Sequence, residues 1–369
     1  MAEPGGSGRR LNIAINTGGG DAPGLNAVIR AVVLSALNRG WKVYGIRRGY
    51  VGLMDGEGVV PLDRDAVRGI THLGGTILGT TNRGNPFEWP AHQADGTIVT
   101  IDRSDEVLAG FRRFGLDALI AIGGDGSLRI AHELAKKGLP VVGVPKTIDN
   151  DLASTQVTFG FDTAVQTAAE AIDKLHSTAE SHERVMVVEL MGRNTGWIAL
   201  HAGLAATADA ILIPEIPYEI DKVCEKIRER EREGRHFSII VVAEGAVPKG
   251  GHMTYREEAK PGQAGRLGGV GEHVAVEIEQ RTGKETRTLV LGHLQRGGRP
   301  TPFDRIMALR FGVAAVRCVE AGEFGTMVAY QPPAMQPVSM EEAIHELKRV
   351  PVDHDTVRTA RDLGITFGD

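Results

Sequence analysis

Short apolar runs that close on glycine-rich or acidic turns recur along the chain. LNIAIN, Leu11 to Asn16, reads as a first buried strand and leads into TGGGDAPG. Beyond that turn Leu25, Val28, Ile29, Val32, Val33 and Ala36 fall on one face of a helix, and Pro23 suits its first turn. The unit repeats. DALIAI runs into Gly123-Gly124-Asp125-Gly126-Ser127 and a helical stretch from Leu128 to Lys137, and LPVVGV runs into PKTIDND. RVMVVEL, Arg184 to Leu190, runs into MGRNTG and then the helical WIALHAGLAA, while FSIIVVAEG and TRTLVLG are two further strand-like runs. Strands that alternate with helices predict an α/β fold: two lobes, each a mostly parallel sheet flanked by helices. In such sheets ligands sit beyond the carboxyl ends of the strands, where these turns fall. Lys222 to Arg235 reads as a charged helix with a solvated face, and the polar, glycine-rich stretch 248–268 as a surface loop.

Length agrees with two lobes, since 369 residues exceed the usual size of one domain. No apolar run approaches the ~20 residues of a membrane span. MAEPGGSGRR has no apolar core and reads as a disordered tail, residues 1–10, not a signal peptide. Cys224 and Cys318 lie far apart without a metal-ligand spacing, so both are expected to be ordinary thiols of a cytoplasmic protein. A net charge of −5 without a basic tail argues against a nucleic-acid partner. Phosphate ligands need only a local group of arginines.

Three motifs carry chemistry. Gly18-Gly19-Gly20 and Gly123-Gly124-Asp125-Gly126-Ser127 both lie between a strand and a helix, where bare amides and a helix N-terminus can face phosphate oxygens. Neither is GxGxxG, and no GxxxxGK[ST] occurs, which argues against a dinucleotide-dependent dehydrogenase. Asp125 can hold a magnesium ion on a phosphate chain or cap a helix. In PKTIDND, Asp149 can take the proton of an alcohol, while Thr147 and Lys146 can donate to the developing phosphoryl charge; turn-forming Asp and Asn are the bland alternative. Arg184, Arg193, Arg287 and Arg296, with His293, stand at strand ends, a set that suits a sugar phosphate.

Together these segments resemble the phosphofructokinases, from about Leu11 to near Met340. The match is carried by GGGDAPGLNAVIR, GGTILGTTNRGNPF, AIGGDGS, PKTIDND, TFGFDTAV, MGRNTGWIAL, AEGA and KETRTLVLGHLQRGG, in that order. The resemblance implies phosphorylation of fructose 6-phosphate at its 1-hydroxyl, in a cleft between the lobes. It implies a donor lobe of residues 11–160 and 295–342 and a sugar-phosphate lobe of residues 161–294 and 343–369. Gly19, Arg83, Gly84, Asp125, Gly126 and Ser127 would meet the donor, with Mg²⁺ on Asp125. Asp149 would be the base, and Thr147 and Arg83 would stabilise the transferring group. Met191, Gly192, Arg193 and Glu244 would face the sugar, and Arg184, Arg287, His293 and Arg296 its 6-phosphate. In the family some of these arginines reach across from a neighbouring subunit, which implies a homo-oligomer, dimer or tetramer.

Donor identity divides the family. Pyrophosphate enzymes typically carry Asp at the position of Gly126 and Lys at that of Lys146, whereas bacterial ATP enzymes carry Gly at both. This chain has one feature of each. Repulsion of the α-phosphate by a carboxylate outweighs one extra donor group, so Gly126 favours ATP, with pyrophosphate as the alternative. Sedoheptulose 7-phosphate stays open as a second acceptor. Arg30 reads either as an exposed helix residue or as part of an effector site. A non-catalytic relative would lack the acids, and Asp125, Thr147, Asp149 and Arg193 are all present.

Overall fold

The computed structural model describes residues 10–81, 84–93, 95–257 and 265–369. In chain order these form β1 (Asn12–Thr17), α1 (Leu25–Leu37), β2 (Lys42–Ile46), α2 (Val51–Met54), β3 (Val59–Pro61), β4 (Trp89–His92), β5 (Ile98–Ile101), α3 (Ser104–Arg113), β6 (Ala118–Gly123), α4 (Asp125–Lys136) and β7 (Val141–Thr147). Next come β8 (Phe159–Gly160), α5 (Phe161–His182), β9 (Val185–Leu190), α6 (Trp197–Ala205), β10 (Ala210–Leu212), α7 (Ile220–Arg232), β11 (Ser238–Ala243), β12 (Tyr255–Glu257), β13 (Arg266–Leu267) and α8 (Val270–Thr282). The chain closes with β14 (Thr286–Val290), a 3-10 turn at Gly292–Arg296, α9 (Pro302–Ala321), β15 (Thr326–Gln331), β16 (Ala334–Ser339), α10 (Met340–His345) and α11 (Asp355–Asp362). Two compact units emerge. One holds the chain up to Lys146, Leu152–Phe159 and Pro302–Glu346; the other holds Thr147–Asp151, Gly160–Thr301 and Leu347–Asp369.

The first unit is built on a sheet ordered β16-β15-β7-β6-β1-β2-β3. Its centre, β7-β6-β1-β2, is parallel, while β3 and β16 pair antiparallel at the two margins. Alternate residues of the central strands serve opposite faces. Ile13, Ile15, Ile120 and Ile122 pack with Val28, Val32, Met307 and Phe311 of α1 and α9. Ala14, Leu119, Ala121 and Val141 pack with Val107, Phe111, Ala131 and Leu134 of α3 and α4. Burial on both faces is why these strands read as unbroken apolar runs. Each fully buried Ile or Leu contributes about 1.5–3 kcal/mol.

The second unit is a four-stranded parallel sheet, β10-β11-β9-β14. Val185, Val187, Leu212, Ile240 and Val242 pack with Val223, Cys224 and Ile227 of α7 and Val274 and Ile278 of α8. On the other face Gly203 of α6 lies against Ile211 and Val241. Helix α7 is the expected charged helix, with a buried stripe of Val223, Cys224 and Ile227 that anchors it. Both cysteines are free and buried.

Several boundaries differ from the sequence reading. The first strand runs one residue later, Asn12–Thr17. Pro23 precedes the helix, whose cap is Gly24 in the left-handed region. Residues 125–127 are the first turn of α4 and not a loop, because Gly124 already serves as the cap. Strand β7 continues through Pro145, Lys146 and Thr147, so these residues end a strand instead of opening a turn. The stretch 248–268 contains the antiparallel pair β12–β13, with residues 258–264 outside the described part. Residues 1–9 of the expected tail also lie outside it. Arg30 is half-buried, and its Nη1 donates to the Val67 carbonyl at 2.6 Å. Among the described residues no helix is long and apolar enough to cross a membrane.

Candidate functional site

The first unit brings the two glycine segments together. Beyond β1 the Gly18 N–H donates to Ile122 O at 2.9 Å and the Gly19 N–H to Thr81 O at 3.1 Å. Those two amides are engaged by the protein, so the first glycine loop offers a ligand its shape and close approach, not these donors. Ser127, in the first turn of α4, is wedged against the loop: a Cβ on Gly18 would stand 2.7 Å from its Oγ. The Lys146 ammonium donates to the Gly20 carbonyl from the end of β7. Asp125 lies in the same first turn, and Arg129 pairs with it at 3.1 Å, one helical turn on. A Cβ on Gly126 would meet nothing within 4 Å. Gly84 has φ +125°, and Arg83 lies outside the described residues.

Three residues that motif reading missed, Asn26, Thr17 and Thr80, hold this region in place. Asn26, 2% exposed on α1, donates to Leu73 O at 3.2 Å and Gly74 O at 3.1 Å and accepts from Ile77 N–H at 2.9 Å. Thr17 Oγ1 donates to Gly79 O at 2.8 Å, and Thr80 Oγ1 to Gly19 O at 2.6 Å. Segment 73–81 is thereby strapped to the glycine loop. A buried amide on the apolar face of a helix is the signal that could have revealed Asn26.

The second unit gathers the acids and one arginine. Thr147 Oγ1 accepts from the Asp149 N–H at 3.0 Å, and the Asp149 carbonyl accepts from Thr195 Oγ1 at 3.2 Å. Asp149 and Asp151 are buried, at 8% and 7% exposure. Beyond β9 the Arg193 N–H donates to Glu244 Oε1 at 3.0 Å, which ties the MGRNTG turn to the end of β11. Burial pushes the Glu244 carboxyl up to about 7; the Arg193 amide opposes this, and the charges of Asp149 and Glu189 add to it. Met191 N–H donates at 2.9 Å to Oε1 of the fully buried Gln295, linking this turn to the 3-10 turn after β14. Gln295 also escaped the sequence reading, which took only its neighbours His293 and Arg296. Those two follow β14, His293 exposed and Arg296 half-buried.

Gly192 and Gly245 are required here. Gly192 has φ +149°, and a Cβ would stand 2.6 Å from Thr195 O. A Cβ on Gly245 would run into the Arg193 carbonyl oxygen. Gly245→Ala is expected to lower stability by about 1–3 kcal/mol through that overlap, read as a drop in the urea midpoint at unchanged slope; an unchanged midpoint would show that the turn yields freely.

Arg184 and Arg287 stand elsewhere. Arg184 precedes β9, and Arg287 lies opposite Met186 near the start of β14. Both pair with Glu285, Arg184 at 2.7 Å, and this holds the Glu285 carboxyl below the usual carboxylate range. The six residues of β9, at about 3.3 Å each, separate Arg184 from the turn that carries Arg193 by about 20 Å. The cationic set expected from sequence is therefore split between the two ends of one sheet.

Residues 12–319 match the family model described as Phosphofructokinase. The chain is 52% identical over 361 residues to the ATP-dependent 6-phosphofructokinase of Chloroflexus aurantiacus, covering 98% of this chain and 99% of the relative. It is 51% identical over 343 residues to the pyrophosphate–fructose 6-phosphate 1-phosphotransferase of Amycolatopsis methanolica, covering 92% of this chain and 96% of that one. Among solved structures it resembles Pichia pastoris phosphofructokinase in the T-state, with a TM-score of 0.78, 32% identity and 93% of this chain covered. The chain spans 36% of the length of that yeast chain.

Proposed function

The chain belongs to the phosphofructokinase family, and from that membership we propose that it transfers a phosphoryl group from ATP to the 1-hydroxyl of fructose 6-phosphate, giving fructose 1,6-bisphosphate in cytoplasmic glycolysis. The observation that most supports the reading is the loop Thr147–Asp151. It holds a buried carboxylate, Asp149, two residues after a hydroxyl, Thr147, on a backbone fixed from both sides.

Asp149 takes the proton of the attacking hydroxyl. Thr147 and Lys146 donate to the transferring phosphoryl group, Arg83 shares this role, and Arg193 lies on the sugar side. In-line transfer asks little covalent work of a protein, so positioning and charge neutralisation carry the rate. Gly19, Gly84, Gly126 and Ser127 receive the donor. Among the described residues no cluster of three acids, histidines or cysteines could cage a metal. A single carboxylate, Asp125, fits a Mg²⁺ that takes its other ligands from phosphate oxygens and water. That ion would neutralise phosphate charge. Met191, Gly192 and Glu244 position the sugar, with His293 and Arg296 toward its 6-phosphate. Arg184 and Arg287, at the far strand ends, act on the sugar phosphate of a neighbouring copy in a homo-oligomer.

One relative above is named for pyrophosphate, but the relatives as a group are named ATP-dependent 6-phosphofructokinase, which favours ATP. The open space at Gly126 supports ATP. Incubation with fructose 6-phosphate, Mg²⁺ and either donor tests the reading by phosphorus NMR. Fructose 1,6-bisphosphate should form at least about tenfold faster from ATP, the ratio that about 1.4 kcal/mol of discrimination gives. Product from pyrophosphate alone would overturn the choice of donor.

Glu244 adds a pH dependence. Its carboxyl accepts hydrogen bonds from sugar hydroxyls more strongly when ionised, so KM for fructose 6-phosphate should fall as pH rises through about 7. Because its folded pKa lies above the ordinary 4.5, the folded protein holds this proton more tightly than the unfolded chain. Stability from this group is therefore present below pH 4.5 and lost as pH rises toward 7. Glu244→Gln should flatten the KM profile and raise Tm at pH 8. A KM profile that keeps its slope in this variant would assign the titration to another group.

A further inference from the structure

We propose that Lys348, on the segment following α10, is a positioning residue that sets the geometry of the loop carrying Asp149. The inference rests on the reading of Asp149 as the base. The Lys348 ammonium donates to Asn150 Oδ1 at 2.8 Å, and its own N–H donates to the Asp151 carbonyl at 2.8 Å. One residue thus holds both positions that follow the base. Asn150 needs such a hold, because its φ is +52°. A non-glycine residue keeps that conformation only when its surroundings enforce it.

Lys348 is itself fixed. Trp197 Nε1 donates to the Lys348 carbonyl at 2.7 Å, and the Trp197 ring centre lies 5.8 Å from the ammonium. Two residues on, the Val350 N–H donates to Glu215 Oε1 at 3.0 Å, and the same carboxylate accepts from the Gly196 N–H at 3.1 Å. Gly196 and Trp197 directly follow Thr195, whose hydroxyl donates to the Asp149 carbonyl. Segment 348–350 is therefore tied both to the loop of the base and to the end of the turn that carries Arg193. A shift in this strap would move both.

The ammonium is also costly to keep. Burial pushes Lys348 down to about 8, with the Asp151 carboxylate opposing. An apolar side chain of similar length would pack there without that penalty. A cation retained at such a place, bonded to the neighbour of the base, fits a role in geometry better than one in stability.

The test compares Lys348→Met, Lys348→Arg, Asn150→Gly and the Lys348→Met/Asn150→Gly double variant in the full chain, reading kcat, both KM values and Tm. Lys348→Met should lower kcat by about tenfold to a hundredfold, the range a displacement near 1 Å produces. KM for ATP should stay within about twofold and Tm within a few degrees, and Lys348→Arg should restore part of the rate. Asn150→Gly removes the acceptor while relaxing the left-handed backbone, so it should stay folded and lose kcat comparably. The double variant should be no slower than the slower single one, because both act through one contact. Wild-type kcat in folded Asn150→Gly, or multiplicative losses in the double variant, would overturn the proposal. Asp149→Asn in parallel separates the two readings. If it keeps full turnover, the base assignment falls and this inference with it. If it is inactive while Lys348→Met retains wild-type kcat, only the positioning role falls.

Discussion

Asp149→Ser is expected to lower kcat by about 10²–10⁴-fold, the usual contribution of a positioned base. KM for fructose 6-phosphate should change little, since Arg193, Glu244, His293 and Arg296 hold the sugar in this reading and remain. The loop should survive the substitution: the bonds that shape it run through the backbone of residue 149, from its N–H to Thr147 Oγ1 and to its carbonyl from Thr195 Oγ1. Steady-state rates at saturating ATP, with Tm as a check on folding, measure the effect. A loss expressed wholly in KM would make Asp149 a sugar-binding residue, and unchanged kcat would remove it from the chemistry.

Gly126→Asp is expected to reduce kcat/KM for ATP by about 10²–10³-fold, because a carboxylate set against a phosphate chain costs several kcal/mol. Pyrophosphate, which has no α-phosphate bearing a nucleoside, should be affected far less. The substitution isolates charge from packing, since a Cβ at 126 meets no atom within 4 Å. Tm should therefore hold. Equal loss with both donors would mean that position 126 does not distinguish them.

The sequence reading reached the parallel sheets because β1, β6, β9 and β11 are buried on both faces and so carry unbroken apolar runs. It also placed Arg193 in the turn that follows β9, as the structure does. It erred where backbone context decides. Glycine at 124 suggested a longer loop, yet that glycine caps α4 and draws Asp125, Gly126 and Ser127 into the helix. Gly18 and Gly19 suggested open amides, and both amides are engaged by the carbonyls of Ile122 and Thr81. Asn26, Gln295 and Lys348 stayed invisible because their partners lie 47–51, 104 and 198 residues away along the chain. The strand boundaries read from sequence already put Arg184 and Arg287 at the opposite strand ends from Arg193, and the structure agrees.

The rate of the transfer step itself can be read by rapid quench, with enzyme in excess over labelled ATP at saturating fructose 6-phosphate. If Asp149 accepts the proton of the 1-hydroxyl, the first turnover in Asp149→Ser should slow by at least about 10²-fold relative to the unsubstituted chain. A first turnover as fast as that of the unsubstituted chain, with the loss confined to steady-state kcat, would place Asp149 in product release and remove the base from the mechanism.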